Sequence, residues 1–261
     1  AGTLTFSAGG IFNESQSKGL IALLLVLFCY GVGKAAIMPF HRWLPAAMVA
    51  PTPVSALLHA VAVVKAGVFS ILKIIIYIFG IDNLSQIATT DFMLYIGAAT
   101  VLLSSCVAIT KDNLKARLAY STVSQLSYIV VGALLASSVA AAGASLHIAT
   151  HAVGKITLFF CAGAIMVAAH KKSVSELVGL GRQMPITMIA FAIGSMSIIG
   201  LPSLAGTWSK WYLVVGALES DKLIIVAVLM VSTLLNVAYL LPIPIKAFFN
   251  PSDSKQPAWA W

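Results

Sequence analysis

The sequence has no acidic residue inside its apolar stretches. It contains 8 acidic residues against 16 lysines and arginines, and each acid falls in a polar segment or at the end of an apolar run. A buried lysine ordinarily needs a charged partner. Lysines within these runs must therefore find a counter-charge on another chain or segment, unless they are neutral or attract an anion. The acids are Glu14, Asp82, Asp91, Asp112, Glu176, Glu219, Asp221 and Asp253.

Charge of any kind is scarce. Charged residues make up 9% and hydrophobic residues 60% of the chain, and the mean hydropathy is +0.98. These values exclude an ordinary soluble domain. The net charge of +8 is scattered between apolar runs, so it is not the clustered basic surface of a nucleic-acid-binding protein. The chain also shows no cofactor-binding motif and no catalytic site of its own.

Cysteine is rare as well. Cys29, Cys106 and Cys161 all lie in apolar runs, which predicts buried, inert thiols rather than disulfides. The sequence has neither an initiator methionine nor the pattern of a secretory leader. We therefore expect it to be a piece of a longer chain.

The sequence does contain apolar runs of membrane-spanning length, which is about 20 residues. About seven occur, and the sixth is too long for one straight helix and is broken around Gly200 and Pro202. No linker or shift in composition divides them, so we predict an all-α polytopic membrane protein with a single membrane domain over residues 1–261. The runs are Gly19–Met38, Pro51–Gly80, Phe92–Thr110, Leu114–Leu135, Val139–Ala169, Pro185–Ala217 and Leu223–Phe249.

The loops between these runs differ in charge. Residues 111–117 and 170–183 are basic, and Lys246 closes the last run, whereas the loops at the other end carry a single lysine, Lys222. Lysine and arginine concentrate on the cytoplasmic side of membrane proteins. We therefore place both basic loops in the cytoplasm of a bacterial inner membrane and residues 1–18 outside.

Four lysines lie deep in the apolar runs or at their interruptions, namely Lys34, Lys65, Lys155 and Lys210, whereas the other lysines in these runs lie nearer an end. A lysine at the bilayer centre costs at least roughly 2.5–3.5 kcal/mol, so proteins keep one mainly where it lines a wet or ion-conducting interior. Lys34 and Lys210 lie in GKAAIMPFHRWLP and GLPSLAGTWSKW, which combine glycine, proline and lysine. Such interruptions line ion pathways in transporters. A plain proline kink is the alternative.

A stripe of ionisable residues marks the fifth run. His147, His151 and Lys155 recur every fourth residue, which places them along about 12 Å of one helix face. Histidine exchanges protons near neutral pH, so the stripe indicates a stepwise proton relay. Histidines at i and i+4 can also chelate a metal, but no carboxylate or thiolate has suitable spacing. A structural role for His147 is equally open.

The second run carries His59 and Lys65. Six residues separate them, or about 240° around a helix, so they share a face only if the helix carries a bulge. Lys65 lies near the centre of the run, which favours a functional role. The polar run Ala119–Tyr128 offers hydroxyl and amide groups to a wet interior, although small polar residues more often pack helices together.

The segment GKAAIMPFHRWLPAAMVAPTPVSALLHAVAVVKAGVF resembles the signature of the antiporter-like proton-translocating membrane subunits. NADH:quinone oxidoreductase, membrane-bound hydrogenases and Mrp-type sodium/proton antiporters share this family. Three later motifs resemble the family in the same order: KDNLKARLAYSTVSQLSYIVVG, HIATHAVGKITLFFCAGAIM and GLPSLAGTWSKWYL. HRWLPAAMVAPTPVSALLHAVAVVKAG and SKWYLVVGA resemble the D-type subunit of the Mrp antiporters most.

The resemblance implies a partial inverted-repeat fold. Residues 19–80 then hold the last two helices of the first repeat, and residues 91–249 hold the second repeat. The spans that carry the family's membrane glutamate are missing, which accounts for the absent carboxylate. Carried over by motif, Lys34 is the usual partner of that glutamate, Lys155 is the central lysine of the second repeat, and Lys210 is a position where some members carry glutamate. The implied proton relay comprises Lys34, His59, Lys65, His147, His151, Lys155 and Lys210.

The implied function is that of a proton-conducting subunit in a multisubunit monovalent cation/proton antiporter that exchanges protons for sodium. Other membrane subunits, the lipid bilayer, protons and sodium are the expected partners, and no metal is expected. The alternative is a proton-pumping subunit of NADH:quinone oxidoreductase or of a membrane-bound hydrogenase. An anion channel or a structural scaffold is a further interpretation, suggested by lysines without carboxylates.

Overall fold

The computed structural model describes residues 5–7, 9–12, 17–85 and 87–250. Over those residues the chain is a bundle of helices without a β-strand, which confirms the predicted all-α fold. The main helices are α1 (Lys18–Gly31), α2 (Thr52–Phe79), α3 (Ala88–Thr110), α4 (Leu114–Leu134), α5 (Ser138–Ala169), α6 (Pro185–Ile199), α7 (Ala205–Glu219), α8 (Leu223–Leu240) and α9 (Pro242–Phe249). Shorter helical turns connect them: Gly33–Ala35, Trp43–Ala46, Ala47–Val49, Ile81–Leu84, Val174–Leu177 and Leu180–Gln183.

The helices have the lengths and polarity of a polytopic membrane protein. Among the described residues, four helical stretches are long and apolar enough to cross a membrane: α2, α3, α5 and the combined α8–α9 stretch, while α1 and α6 are shorter apolar helices. Helix α4 is more polar, yet every residue from Ser121 to Leu134 is buried. Its polar side chains face other helices rather than lipid, so α4 does not need an apolar surface.

Both predicted helix interruptions are present. Helix α1 is followed by a 3₁₀ turn that contains Lys34. Helix α6 is capped by Gly200, whose φ of +89° favours glycine, and α7 starts five residues later. Gly206 allows α7 to pass close to α6, because a Cβ atom there would lie 1.8 Å from the backbone oxygen of Ser197. The predicted sixth run is therefore two helices, α6 and α7.

The two basic loops lie together at one end of the bundle. Asp112 of the first loop accepts hydrogen bonds from the Ser175 hydroxyl at 2.7 Å and from the Ser175 N–H at 3.0 Å. These two donors hold the pKa of Asp112 below its ordinary value. At the opposite end, Lys222 forms an ion pair of 2.7 Å with Asp91. The predicted grouping of the basic loops at one end is observed.

A layer of buried polar residues separates two apolar cores. On α4, Leu118 belongs to one core and Leu126 to the other, and on α5 the corresponding residues are Leu158 and Ala144. On α8, Leu240 belongs to the first of these cores and Leu229 to the second. The polar layer therefore crosses the bundle partway along its helices. Its members on these helices are Ser121 and Gln125 on α4, His147, His151 and Lys155 on α5, and Ser232 and Asn236 on α8.

The cysteines only partly follow the prediction. Cys29 and Cys161 are buried, but Cys106 is exposed on α3. The prediction for Cys106 is wrong because an apolar run does not show which helix face turns outward. A thiol is apolar enough to tolerate the outer face of a membrane helix.

Candidate functional site

Helix α5 brings three ionisable side chains into the polar layer. His147, His151 and Lys155 are all buried, because their four-residue spacing places them on the inner face of α5. The rings of His147 and His151 stack with their centroids 5.9 Å apart and their planes 13° apart. The predicted stripe therefore faces the interior of the bundle.

Lys155 is held by neutral oxygen atoms. Its Nζ donates hydrogen bonds to the backbone oxygen of Leu118 at 3.1 Å and to the Ser121 hydroxyl at 2.7 Å, both on α4. The Ser121 hydroxyl oxygen also lies 2.9 Å from the Tyr239 hydroxyl of α8, within hydrogen-bond distance. Lys155 is thereby connected to α8 through two hydroxyl groups.

The network continues from Tyr239 to His147. The single hydrogen of the Tyr239 hydroxyl is donated to Asn236 Oδ1, which can only accept. Gln125 Nε2 donates to that same oxygen at 3.4 Å. Gln125 Oε1 lies 3.1 Å from His147 Nε2. Since this oxygen can only accept, His147 Nε2 is the donor in this contact. A continuous series of buried hydrogen bonds thus joins Lys155 to His147.

His147 is engaged on both sides of its ring. Its Nδ1 lies 2.9 Å from the Ser209 hydroxyl of α7, and the same hydroxyl oxygen lies 3.0 Å from Gly206 O. The Tyr128 ring stacks on His147 with a centroid distance of 5.6 Å. Because both nitrogens have hydrogen-bond partners, His147 is arranged as a network member rather than as half of a metal-chelating pair.

Lys65 reaches the stripe from α2. Its Nζ is hydrogen-bonded to Nδ1 of His151, although the two residues are 86 positions apart in the chain. Lys65 is buried, and this contact joins the second predicted run to the fifth. His151 Nε2 has no hydrogen-bond partner among the described residues.

A π-helical turn on α2 contains His59, which is buried in the interior as Lys65 is. The turn covers Leu57–Val61, and the Ala62 N–H donates to Leu57 O at 3.0 Å, five residues back. This is the bulge that the spacing of His59 and Lys65 required, and both side chains are buried. The His59 ring lies 5.4 Å from the ring of Phe159. Neither of its nitrogens has a hydrogen-bond partner in the described part of the chain.

Lys210 lies at the second helix interruption. Its Nζ donates to the backbone oxygen of Ile199, the last residue of α6, at 2.9 Å, and it lies 5.2 Å from the centroid of the Tyr128 ring. The carbonyl end of a helix carries partial negative charge and stabilises a nearby cation. The carbonyl end of α6, rather than a carboxylate, is therefore the observed hydrogen-bond partner of Lys210.

Lys34 lies apart from this network. It is exposed and lines an open cavity of about 860 Å³ with Tyr30, Phe40, Arg42 and Trp43. No residue of the polar network lines that cavity. The structure therefore brings Lys65, His147, His151 and Lys155 together, places His59 and Lys210 in the same interior, and leaves Lys34 outside.

The described acids lie away from the lysines of the layer. Within the described residues, the ion pair between Lys222 and Asp91 is the one salt bridge, and it lies at the end of the bundle. Glu14 and Asp253 fall outside the described residues. A neutral hydroxyl, backbone carbonyl groups and the Tyr128 ring therefore make the observed contacts of Lys155 and Lys210.

Sequence reasoning missed several members of the network. Asn236, Tyr239 and Ser209 were not predicted, whereas Ser121 and Gln125 belong to the polar run that was noted on α4. The signal for Asn236 was available, because an amide in the middle of a strongly apolar run is costly unless it is hydrogen-bonded. Tyr239 had no comparable signal.

The interrupted helices and the buried lysine–histidine layer define a class of protein, the antiporter-like membrane subunits of ion-translocating complexes. The comparison with known families agrees. Residues 1–236 match the family described as NADH:quinone oxidoreductase/Mrp antiporter, TM, and the chain belongs to that family.

Individual relatives come from two kinds of complex. NADH-quinone oxidoreductase subunit N of Desulforudis audaxviator (strain MP104C) is 39% identical over 223 residues, which cover 84% of this chain and 44% of that protein. Subunit L of Rickettsia conorii is 39% identical over 201 residues, or 77% of this chain and 29% of that protein. The solved Mrp complex from Dietzia sp. DQ12-45-1b contains a chain with a TM-score of 0.83 at 26% identity, covering 92% of this chain and 44% of that one. This chain thus spans less than half the length of these relatives.

Proposed function

We propose that this chain conducts protons as a subunit of a larger ion-translocating membrane complex. The observation that supports this most is a pair of buried hydrogen-bonded groups that lie in the same polar layer. One joins Lys65 to His151, and the other joins Lys155 to His147. Lysine and histidine can each hold or release a proton, and hydroxyl groups can pass one on. A structural scaffold does not need so many costly ionisable groups in a membrane interior.

The proposed transfer begins at Lys65. Its ammonium donates to His151 Nδ1, so a proton can move along that bond to the ring. The opposite nitrogen of His151 has no partner among the described residues, and it can release a proton toward Lys155, one turn along α5, through a water molecule. The hydroxyls of Ser121 and Tyr239 then extend the path from Lys155. His59 is a second carrier in this interior.

The amide groups have a different role in this proposal. Amides hold protons too tightly to exchange them readily, so Gln125 and Asn236 position their neighbours. Gln125 fixes the orientation of His147, and Asn236 fixes the Tyr239 hydroxyl. Lys210, on α7, is the last proton carrier and faces the exit of the path. Lys34 passes protons to Lys65 once another segment or subunit covers Lys34 and supplies a carboxylate.

We also propose the setting of the chain. Residues 19–80 correspond to the end of a first repeat and residues 91–249 to a second repeat within one membrane domain, 1–261. The basic loops face the cytoplasm of a bacterial inner membrane, as the clustering of lysine and arginine at one end supports. Other membrane subunits complete the assembly.

Two sources of driving energy are compatible with this site. The NADH-quinone oxidoreductase subunits share 39% identity with this chain, which favours a proton pump coupled to quinone reduction. The structural likeness to the Mrp complex, with a TM-score of 0.83, supports the second candidate, exchange of protons for sodium. The proton path proposed here is the same in both.

The test uses everted vesicles that contain the complete parent complex and a dye that reports lumenal pH. Acidification on adding NADH indicates a redox-driven pump, whereas collapse of an imposed pH gradient on adding sodium chloride indicates an antiporter. We expect Lys155→Ala to abolish whichever response the parent shows, because Lys155 is the group that connects the stripe to Ser121.

The matched control is Lys246→Ala, which removes an exposed lysine at the end of α9. It should assemble and transport like the parent. Full transport in an assembled Lys155→Ala complex would contradict the proposed path. Loss of assembly in every lysine variant, without a transport defect in any assembled one, would support a scaffold instead.

A further inference from the structure

Three lysines converge on one cavity at the basic end of the bundle. Lys115, Lys171 and Lys172 line a space of about 470 Å³, together with apolar residues that include Met48 and Ala162. The cavity lies between the start of α4, the end of α5 and the segment that precedes α2. It shares no lining residue with the buried polar layer.

The local backbone creates this convergence. Helix α5 ends at Ala169, and the next residue, His170, has a φ of +53° that reverses the chain. Histidine adopts this left-handed conformation more readily than most residues do. The reversal brings Lys172 back to the start of α4, where its backbone oxygen accepts a hydrogen bond from the Leu114 N–H at 3.0 Å. Lys171 and Lys172 are thus held beside Lys115.

Among the described residues, the nearby acids form no ion pair with these lysines, although the charge of Glu176 interacts with that of Lys171. Glu176 Oε2 accepts from the backbone N–H groups of Lys172 and Ser173, both at 3.1 Å, and Asp112 is occupied by Ser175. The Lys115 ammonium donates to the backbone oxygen of Ala50 at 3.2 Å. Among the residues that the structure describes, no acid lines the cavity. Three like charges around one space favour an anion within it.

An apolar groove continues from the cavity. A second space of about 770 Å³ shares Val49, Lys115 and Met166 with the first, and Phe160 and Val167 of α5 line it. Both α5 side chains are largely exposed, at 54% and 77%. The groove therefore runs from the lysines along the outer surface of a membrane-spanning helix.

We propose that this site binds an anionic phospholipid. The phosphate group contacts Lys115, Lys171 and Lys172, and one acyl chain lies along the groove beside Phe160 and Val167. A basic recess above an apolar groove fits a lipid better than a soluble phosphate ester, because the ester would leave the groove empty. Basic pockets of this kind at the cytoplasmic side of membrane helices select anionic headgroups.

The test is native mass spectrometry of the complete complex after exchange into mixed phosphatidylglycerol and phosphatidylcholine. We expect the subunit to retain phosphatidylglycerol preferentially. The triple variant Lys115→Gln, Lys171→Gln, Lys172→Gln should lower that preference roughly tenfold or more, since each basic residue near the headgroups strengthens binding several-fold. Ala164→Trp, which fills the groove without changing charge, should also release the lipid.

Lys246→Gln is the matched control, because it removes a lysine at the same end of the bundle that lines neither cavity. Its backbone oxygen contacts the Gly179 N–H at 3.3 Å near the basic loops. Equal lipid loss in this control, or no preference for phosphatidylglycerol in the parent, would overturn the proposal. Displacement of the lipid by glycerol 3-phosphate at similar concentration would also overturn it, since the site would then bind a soluble phosphate ester.

Discussion

The two helix interruptions share a sequence pattern but form different environments. Each combines glycine, proline and a lysine within an apolar run. At the second, Lys210 is buried and donates to the carbonyl end of α6. At the first, Lys34 is exposed and lines an open cavity of about 860 Å³.

The difference shows what completes an ionisable site in this fold. Lys210 is enclosed because α4 contributes Tyr128 and α6 contributes the Ile199 carbonyl. In the described part of the chain, no helix covers the Lys34 side chain in the same way. An interrupted helix therefore places a lysine at membrane depth, but neighbouring helices decide whether that lysine joins a closed network.

The largest expected effect comes from Gly206→Ala at the second interruption. A Cβ atom there would lie 1.8 Å from the backbone oxygen of Ser197, so α7 must move away from α6. Gly33→Ala at the first interruption is the control, since nothing lies within 4 Å of a Cβ at that position. We expect Gly206→Ala to destabilise the assembled complex by about 1–3 kcal/mol or more, measured by thermal denaturation in detergent. Equal stability of both variants would contradict the closed packing of the second interruption.

Lys210→Met tests the closed site itself. The substitution keeps most of the side-chain volume but leaves the Ile199 carbonyl without its donor. An unsatisfied buried carbonyl costs about 1–3 kcal/mol, so we expect a lower denaturation temperature for the complex. Lys246→Met, at an exposed helix end, should leave it unchanged. A Lys210→Met complex as stable as the control would show that the contact with α6 contributes nothing.

Ser121→Ala should have the smallest effect of the three. It removes the hydroxyl between Lys155 and Tyr239 while keeping both of those residues. Loss of one hydrogen bond of about 1–1.5 kcal/mol predicts roughly tenfold slower proton transport in vesicles, with normal assembly. Ser127→Ala is the control, because among the described residues that hydroxyl bonds within its own helix, to Val123 O at 3.1 Å. Similar slowing in both variants would argue against a specific path through Ser121.

Much of the fold followed from sequence because it depends on local pattern. Apolar run length predicted the membrane helices, and glycine with proline predicted both interruptions. The four-residue period of His147, His151 and Lys155 placed them correctly on one buried face. Loop charge grouped the basic loops at one end. Each of these features can be predicted from residues that lie near one another in the sequence.

The contacts between distant helices could not be predicted in the same way. Lys65 meets His151 across 86 positions, a contact between α2 and α5 that no local sequence pattern predicts. Ser121 and Tyr239 are 118 positions apart and meet only because α4 and α8 pack together. The exposure of Lys34 depends on which helices are present around it.

The most direct test of the central claim is proton transport by an assembled His151→Leu complex in vesicles. His151 connects Lys65 to the stripe, and leucine fills the space while both lysines are retained. The proposed path predicts that His151→Leu loses proton transport while the complex assembles normally. His151→Gln should lose proton transport as well, because an amide does not relay protons. Transport at the parent rate in His151→Leu would contradict a proton path that runs from Lys65 through His151.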